Sequence, residues 1–277
     1  MTPKHLHVRY RHQAATAKPY YLNNEDVRSV AADVRNQLAP AVDRYRLTGE
    51  TLLQIEAIRV NNACLDVCWS KDHPVTNERG EPVLGVCEYD HRGVPDTALI
   101  SVNPDLTRDK EGLLLGTLAH ELGHAIFDVP GWRAIACQTG LPGWMEREPV
   151  HRVFQAVSVD EGHLTGAGRK AGDRDFGEWR ANEFMGSLLV PRDLLAARLR
   201  HHAERIAIPL KVEPEPGLIP LVKESPAIAA YVDRVRFGSK IVILLNNLAA
   251  DFGVSLRFIQ IRLLRYGLAT KAQLGLG

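Results

Sequence analysis

The pentapeptide His120-Glu121-Leu122-Gly123-His124 combines residue types and a spacing that suit metal chemistry. In a helix, residues four apart share one face, so both imidazoles can reach one tetrahedral Zn²⁺ at about 2.0 to 2.1 Å. Glu121 is then placed to accept a proton from a water on the metal instead of binding the metal itself. This HExxH pattern is the signature of zinc-dependent peptidases.

The segment around this motif has the apolar pattern of a helix, which we predict to run from about residue 107 to residue 127. Its buried side would be a stripe of residues four apart, namely Leu114, Leu118, Leu122 and Ile126. Thr117, His120 and His124 fall on a different face, and this arrangement favours a metal site. The alternative is an exposed helix that carries two ordinary histidines.

A zinc site needs a third protein ligand. The extended pattern H-x-x-G-x-x-H is absent, since Phe127 and Pro130 stand at its glycine and histidine positions. Glu178 is the favoured ligand, because it lies in a predicted helix over 176–189 with Asn182 one turn later to hydrogen-bond a metal-binding imidazole. Other carboxylates compete for the same role, namely Glu183, Glu146, Glu148, Asp160 and Glu161.

The cysteines leave two further metal hypotheses open. Cys87 or Cys137 is an alternative third ligand, in a zinc hydrolase that acts on a non-peptide amide. Cys64 and Cys68 share a face of a predicted strand and could bind a structural metal together with Cys87. Free, reduced thiols are the more ordinary expectation for so few cysteines.

The remaining pattern of the first two hundred or so residues predicts an α+β fold. An amphipathic helix is expected over 24–38, and an extended segment over 53–69. Short β-rich runs at 83–89 and 97–102 indicate a small, mostly antiparallel sheet. We therefore expect a zincin-like core, in which this antiparallel sheet packs on the HExxH helix and on the helix that carries Glu178.

Two motifs together resemble those of the ImmA/IrrE family of metallopeptidases: Thr117-Leu-Ala-His-Glu-Leu-Gly-His, and Glu178-x-x-Ala-Asn-x-Phe followed by Leu-Leu-Val-Pro191. The resemblance covers about residues 95 to 200. It implies a gluzincin-like site, with His120, His124 and Glu178 as zinc ligands and Glu121 as the catalytic residue. It also implies a cytoplasmic protease that cuts a helix-turn-helix repressor and thereby relieves transcriptional repression.

Composition divides the chain into four predicted parts. Residues 1–22 are polar and basic and are expected to form a tail, and 23–205 form the metallopeptidase domain. Frequent prolines mark 206–230 as a linker, and 231–277 form a C-terminal helical module. Within the second part, 128–175 is an expected insertion that could form a lid or a substrate wall.

The C-terminal module has the pattern of two helices joined by a tight turn at Gly253, with Ser255 as a new N-cap. This helix-turn-helix-like pattern makes Arg257, Arg262 and Arg265 candidates for contact with DNA or a partner protein. DNA binding is the less favoured of the two, because the whole chain is nearly neutral. The alternative function is a transcriptional regulator that binds DNA or protein through these helices and keeps a non-catalytic zincin fold.

The overall composition excludes a disordered, collagenous or fibrous chain. With 277 residues, 45% hydrophobic, 24% charged and a net charge of +1, the chain has the balance of an ordinary globular protein. No apolar stretch approaches the roughly 18 residues of a membrane span, and the N-terminus lacks the apolar core of a secretory signal. We therefore expect a cytoplasmic protein without a membrane partner. The motifs above add zinc as the expected cofactor and a protein as the expected substrate.

Overall fold

The computed structural model describes residues 3–38, 45–138, 150–155, 176–208 and 234–274. Over these residues the protein is α+β, as predicted. The chain divides into two compact units, Met1–Leu188 and Leu189–Gly277. Most of the predicted linker and most of the predicted 128–175 insertion lie outside the described residues.

The first unit is built on a six-stranded mixed sheet with the strand order β1-β2-β3-β5-β4-β6. The strands are β1 (Lys4–Val8), β2 (Ile55–Val60), β3 (Ala63–Ser70), β4 (Gly85–Asp90), β5 (Thr97–Val102) and β6 (Val150–Gln155). The β2–β3, β4–β5 and β4–β6 pairs are antiparallel, as predicted for a mostly antiparallel sheet. The sheet is larger than predicted and mixed, because the β1–β2 and β3–β5 pairs are parallel. Parallel neighbours need a crossover connection, which the helix after β1 supplies.

The prediction that residues 1–22 form a polar tail is wrong where the chain forms β1. Leu6 and Val8 are 1% and 2% exposed, and β1 pairs along its length with β2. His5 and His7 occupy the exposed alternate positions of this short strand and Lys4 begins its inner face, so the apolar face consists of only two residues. The predicted extended segment over 53–69 forms two antiparallel strands, β2 and β3, instead of one. The chain reverses direction between them at Asn61, which has a positive φ of 52°.

Helices cover the sheet in the first unit: α1 (Asn24–Leu38), α2 (Gly49–Leu53), α3 (Pro104–Thr107), α4 (Glu111–Phe127), α5 (Val129–Gln138) and α6 (Phe176–Leu189). The predicted bounds of α1 and α6 are confirmed. The Asn23 side chain caps α1 by accepting from the backbone N–H groups of Glu25 and Asp26 at 2.8 and 3.0 Å. The cap therefore lies one residue before the predicted one.

The HExxH motif lies in α4, a helix that is buried on every side from Leu115 to Phe127. The helix packs on β4 and β5 and is also contacted by α2 and α5. The alternative of an exposed helix with two ordinary histidines is therefore wrong. His120 and His124 are 1% exposed and Glu121 is 0% exposed, and buried polar groups are costly unless they have partners.

The second unit is helical over its described residues: α7 (Arg192–Arg205), α8 (Arg234–Phe252), α9 (Leu256–Arg265) and α10 (Lys271–Leu274). The predicted tight turn is present, since Gly253 has a φ of 67° and the axes of α8 and α9 are bent by 97°. Ser255 caps α9 by accepting from the Phe258 N–H at 3.1 Å. No single helix in the described part of the chain is both long enough and apolar enough to cross a membrane.

Candidate metal centre

The side chains of His120, His124 and Glu178 converge in the first unit and form a group that could hold a metal ion. The two Nε2 atoms of the histidines lie 3.1 Å apart. Glu178 Oε1 lies 3.3 Å from His124 Nε2, and Glu178 Oε2 lies 3.6 Å from His120 Nε2. The structure therefore brings together the three ligands that the sequence predicts.

The separations between these atoms fit the corners of a tetrahedron around one ion. Nitrogen and oxygen ligands at about 2.0 to 2.1 Å from zinc lie about 3.3 to 3.5 Å from one another in tetrahedral geometry. The observed separations of 3.1, 3.3 and 3.6 Å bracket that range. Imidazole and carboxylate are also ligand types that zinc accepts, so the donor set suits the metal.

A close approach between α4 and α6 places Glu178 beside the histidines. Gly123 faces Ala181, and a Cβ added at Gly123 would lie 3.0 Å from the Ala181 Cα. It would also lie 3.3 Å from a ring carbon of Phe184, so no side chain larger than glycine's fits without movement of α6. The glycine within HExxH and the small residue within the Glu178 helix therefore set the distance between the ligands.

Asp128 supports the second histidine and was missed by the sequence reasoning. Its Oδ2 lies 2.7 Å from His124 Nδ1, and its Oδ1 accepts from Arg180 at 2.7 Å. Hydrogen bonding at Nδ1 leaves Nε2 to face the metal position, and such partners are usual around metal-binding histidines. The signal was available, because Asp128 lies one helical turn after His124.

The two histidines have opposite pKa shifts. Burial, followed by the neighbouring His124, lowers the pKa of His120 to about 3. Burial alone would also lower the pKa of His124, but hydrogen bonds to Asp128 and Glu178 raise it to about 10.

Glu121 is the buried carboxylate of the motif that does not join the ligand group. Both of its oxygens lack a hydrogen-bond partner among the described residues, and burial raises its pKa to about 8. It lies beneath the start of β4, where a Cβ on Gly85 would be 3.1 Å from Glu121 Oε1 and 2.7 Å from Thr117 Cγ2. Glycine at position 85 therefore makes room for this carboxylate.

The Asn182 side chain interacts with its own helix and with His120. Its amide donates to the Glu178 carbonyl oxygen at 2.8 Å, within α6. The side chain also raises the pKa of His120, although His120 Nδ1 has no partner in hydrogen-bond geometry among the described residues. The other ligand imidazole, that of His124, is held by Asp128.

The competing metal hypotheses receive no support from the described residues. Glu183 is engaged elsewhere, since Arg28 donates to its carboxylate at 2.8 Å. Burial raises the pKa of the Cys87 thiol, and neither Cys87 nor Cys137 belongs to the ligand group. Cys64 and Cys68 are exposed whereas Cys87 is buried, so they do not form a cluster. The remaining competitors lie outside the described residues, namely Glu146, Glu148, Asp160 and Glu161.

One residue that was predicted to contact DNA or a partner protein is buried in the second unit. Arg262 is 2% exposed, and its guanidinium lies 4.3 Å from the centre of the Tyr266 ring. Its prediction as a contact for DNA or a partner is therefore wrong, because the side chain stacks within the unit. Arg257 and Arg265 are only half-buried.

Comparison of the chain with protein-family models and with curated protein sequences found no match in either case. These comparisons therefore assign neither a family nor an activity. What distinguishes the site is its own geometry: three ligand atoms at tetrahedral spacing, beside a buried carboxylate with both oxygens unbonded.

Proposed function

We propose that this chain is a zinc-dependent endopeptidase with His120, His124 and Glu178 as metal ligands. The convergence of these side chains from α4 and α6 is the observation that carries the proposal. It is supported by the buried Glu121, whose two oxygens have no hydrogen-bond partner among the described residues and are thus free to act as a general base. The combination of a fixed metal position and an adjacent base suits hydrolysis more than structural metal binding.

A zinc ion held by His120, His124 and Glu178 would supply Lewis acidity to the substrate carbonyl and would lower the pKa of the attacking water. In the proposed mechanism, Glu121 takes a proton from that water as the water oxygen bonds to the carbonyl carbon. The carboxylate then returns the proton to the leaving nitrogen as the C–N bond breaks. Glu121 acts first as a base, and burial raises its pKa to about 8.

The resemblance to the ImmA/IrrE motifs suggests the substrate. It favours cleavage of a helix-turn-helix transcriptional repressor inside the cell, with relief of repression as the outcome. The second unit, with its helix pair α8 and α9, would then dock this protein. The alternative regulator that acts through DNA is less favoured, because Arg262, one of its three proposed contacts, is buried.

Glu121→Gln tests the proposal, because it removes the base and keeps the shape of the side chain. The purified full chain is loaded with zinc and incubated with a library of proteome-derived peptides, and new termini are counted by mass spectrometry. We expect the variant to retain its zinc and to lose at least about 100-fold in cleavage rate, the usual scale for a lost general base. Glu111→Gln, an exposed position in the same helix, is the matched control.

Two results would overturn the proposal. One is a wild-type chain that binds zinc and generates no new termini. The other is a Glu121→Gln variant that cleaves at the wild-type rate. The first result would leave the alternative of a regulator that keeps a non-catalytic zincin fold.

A further inference from the structure

A cavity of about 380 Å³ adjoins His124 in the first unit. This volume lies in the range of pockets that hold a small ligand or a large side chain. Its walls come from the N-terminal segment, α4, α5, β6 and α6, through residues that include Lys18, His124, Asp128, Trp132, Val153 and Arg180. The cavity therefore borders one of the three proposed metal ligands.

The N-terminal segment that lines the cavity forms a hairpin through its own backbone contacts. The backbone of Gln13 donates to the Lys18 carbonyl oxygen at 2.8 Å, and His12 pairs with Pro19. The segment approaches α5 at Gly131, where a Cβ would lie 3.0 Å from Lys18 Cγ. Glycine at that position therefore allows Lys18 to form part of the wall.

Among the described residues, the charged side chains that line the cavity offer hydrogen-bond donors to a ligand but no available acceptor. Asp128 already accepts from Arg180 and binds His124, so both of its oxygens are engaged. The Arg180 Nε–H is buried and has no acceptor among the described residues. The Lys18 ammonium likewise forms no ion pair within the described part of the chain. The groups left to bind a ligand are thus cationic donors, which favour a carboxylate.

The cavity also has an apolar portion. Phe127, Trp132 and Pro19 line it, and the Trp132 ring stacks on His151 at 5.6 Å between centroids. An apolar wall next to cationic donors suits a side chain with a methylene stem and a terminal acid. Glutamate has this form, whereas a basic side chain would meet the like charges of Lys18 and of Arg180, of which Arg180 is paired with Asp128.

We propose that this cavity selects an acidic side chain, preferentially glutamate, next to the peptide bond that the enzyme cuts. The inference rests on the proposed function and adds its substrate class. Lys18 and Arg180 are the specificity-determining residues, and neither takes part in the chemistry. Arg180 also holds Asp128, so Lys18 is the cleaner position to test.

The experiment compares cleavage of matched peptides that carry glutamate, alanine or lysine on either side of one scissile bond. For the wild-type chain, we expect glutamate in the preferred position to raise kcat/KM about tenfold over alanine, as for a charge-assisted hydrogen bond. Lys18→Ala reduces this preference, and Lys18→Glu reverses it in favour of lysine. Lys71→Glu makes the same charge change at an exposed site, near the N-terminal end of α4 rather than at the cavity.

The outcomes separate this inference from the proposed function. Cleavage that depends on Glu121 but shows no preference for glutamate overturns the inference alone. An equal response to Lys18→Glu and Lys71→Glu overturns it as well, because the effect would then be one of net charge. Absence of any Glu121-dependent cleavage overturns both proposals. Zinc content measured for each variant ensures that a change in preference is not a loss of metal.

Discussion

Each unit of the chain contains a cluster of basic and acidic side chains, and the two clusters differ in how their charges are satisfied. In the second unit, Arg198 donates to both oxygens of Asp251 at 2.6 and 2.9 Å. His202 Nε2 also lies 2.6 Å from Asp251 Oδ2. Burial would raise the pKa of Asp251, but these hydrogen bonds lower it. This acid is fully engaged and ties α7 to α8.

The cluster in the first unit has the opposite character. The Nε2 atoms of His120 and His124 point at each other and at Glu178, with no arginine or lysine between them. Neither oxygen of the nearby Glu121 has a hydrogen-bond partner among the described residues. Ligand atoms that face one point, beside buried acceptors without described donors, form a group that could hold a cation. Close histidine and acid side chains alone do not, as the Asp251 cluster shows.

The largest effect is expected on zinc affinity when the acid of the first cluster, Glu178, is removed. Removal of the acid of the second cluster, Asp251, is the comparison. Glu178→Ala deletes a ligand and should weaken zinc affinity by at least about 100-fold, which is more than the loss usual for a supporting residue. Asp251→Ala should leave zinc affinity unchanged. Competition with a fluorescent zinc chelator measures both values. Equal affinities for the two variants would mean that Glu178 does not bind the metal.

A smaller loss is expected when the hydrogen-bond partner of a ligand is changed. Asp128→Asn keeps the shape of the side chain but removes the charge that holds His124. Zinc affinity should fall by about 10- to 100-fold, in the same chelator assay. Asp105→Asn, at an exposed position of α3, is the control. Wild-type affinity in Asp128→Asn would show that Asp128 has no part in orienting His124.

The spacing of α4 and α6 can be tested at two glycines of the same helix. At Gly123 a Cβ would lie 3.0 Å from Ala181 Cα, whereas at Gly116 it would meet only Met185 Sδ at 3.9 Å. Gly123→Ala should therefore lower the free energy of unfolding by about 1 to 2 kcal/mol through overpacking. Gly116→Ala should raise it by about 0.5 to 1 kcal/mol through helix propensity. Urea denaturation measures both, and equal effects would contradict the proposed contact.

The smallest effect is expected on the pH dependence of stability, through Asp251 in the second unit. Because the pKa of Asp251 is lowered in the folded state, its contribution to stability is present above the unfolded value near 3.8 and is lost as the pH falls through the folded value. Asp251→Asn should cost about 1 kcal/mol at pH 6, and this cost should shrink toward pH 3. Urea midpoints of the two proteins at several pH values test it. A cost independent of pH would exclude the ionised acid as its source.

Sequence reasoning succeeded where a local pattern determines the outcome. Apolar periodicity fixed α1 and α6, and the spacing within HExxH together with the composition around Glu178 identified residues that the fold brings within 4.8 Å. The turn at Gly253 was also predictable, because glycine adopts a positive φ without strain. These are short-range signals.

The features that were missed depend on contacts between distant segments. β1 has only two inward apolar residues, and its assignment needs β2 as a partner. β6 lies within the predicted 128–175 insertion, for which the sequence predicted a lid or a substrate wall and no strand. The hydrogen bond from Asp128 and the burial of Arg262 are set by packing, which a pattern of residue types does not record.

The most direct test of the central claim is a crystal structure of the zinc-loaded chain, with anomalous differences measured on both sides of the zinc absorption edge. The account predicts one strong anomalous peak, about 2.0 to 2.2 Å from His120 Nε2, His124 Nε2 and a Glu178 oxygen. Absence of the peak at this point, or a single peak elsewhere in the chain, would contradict it.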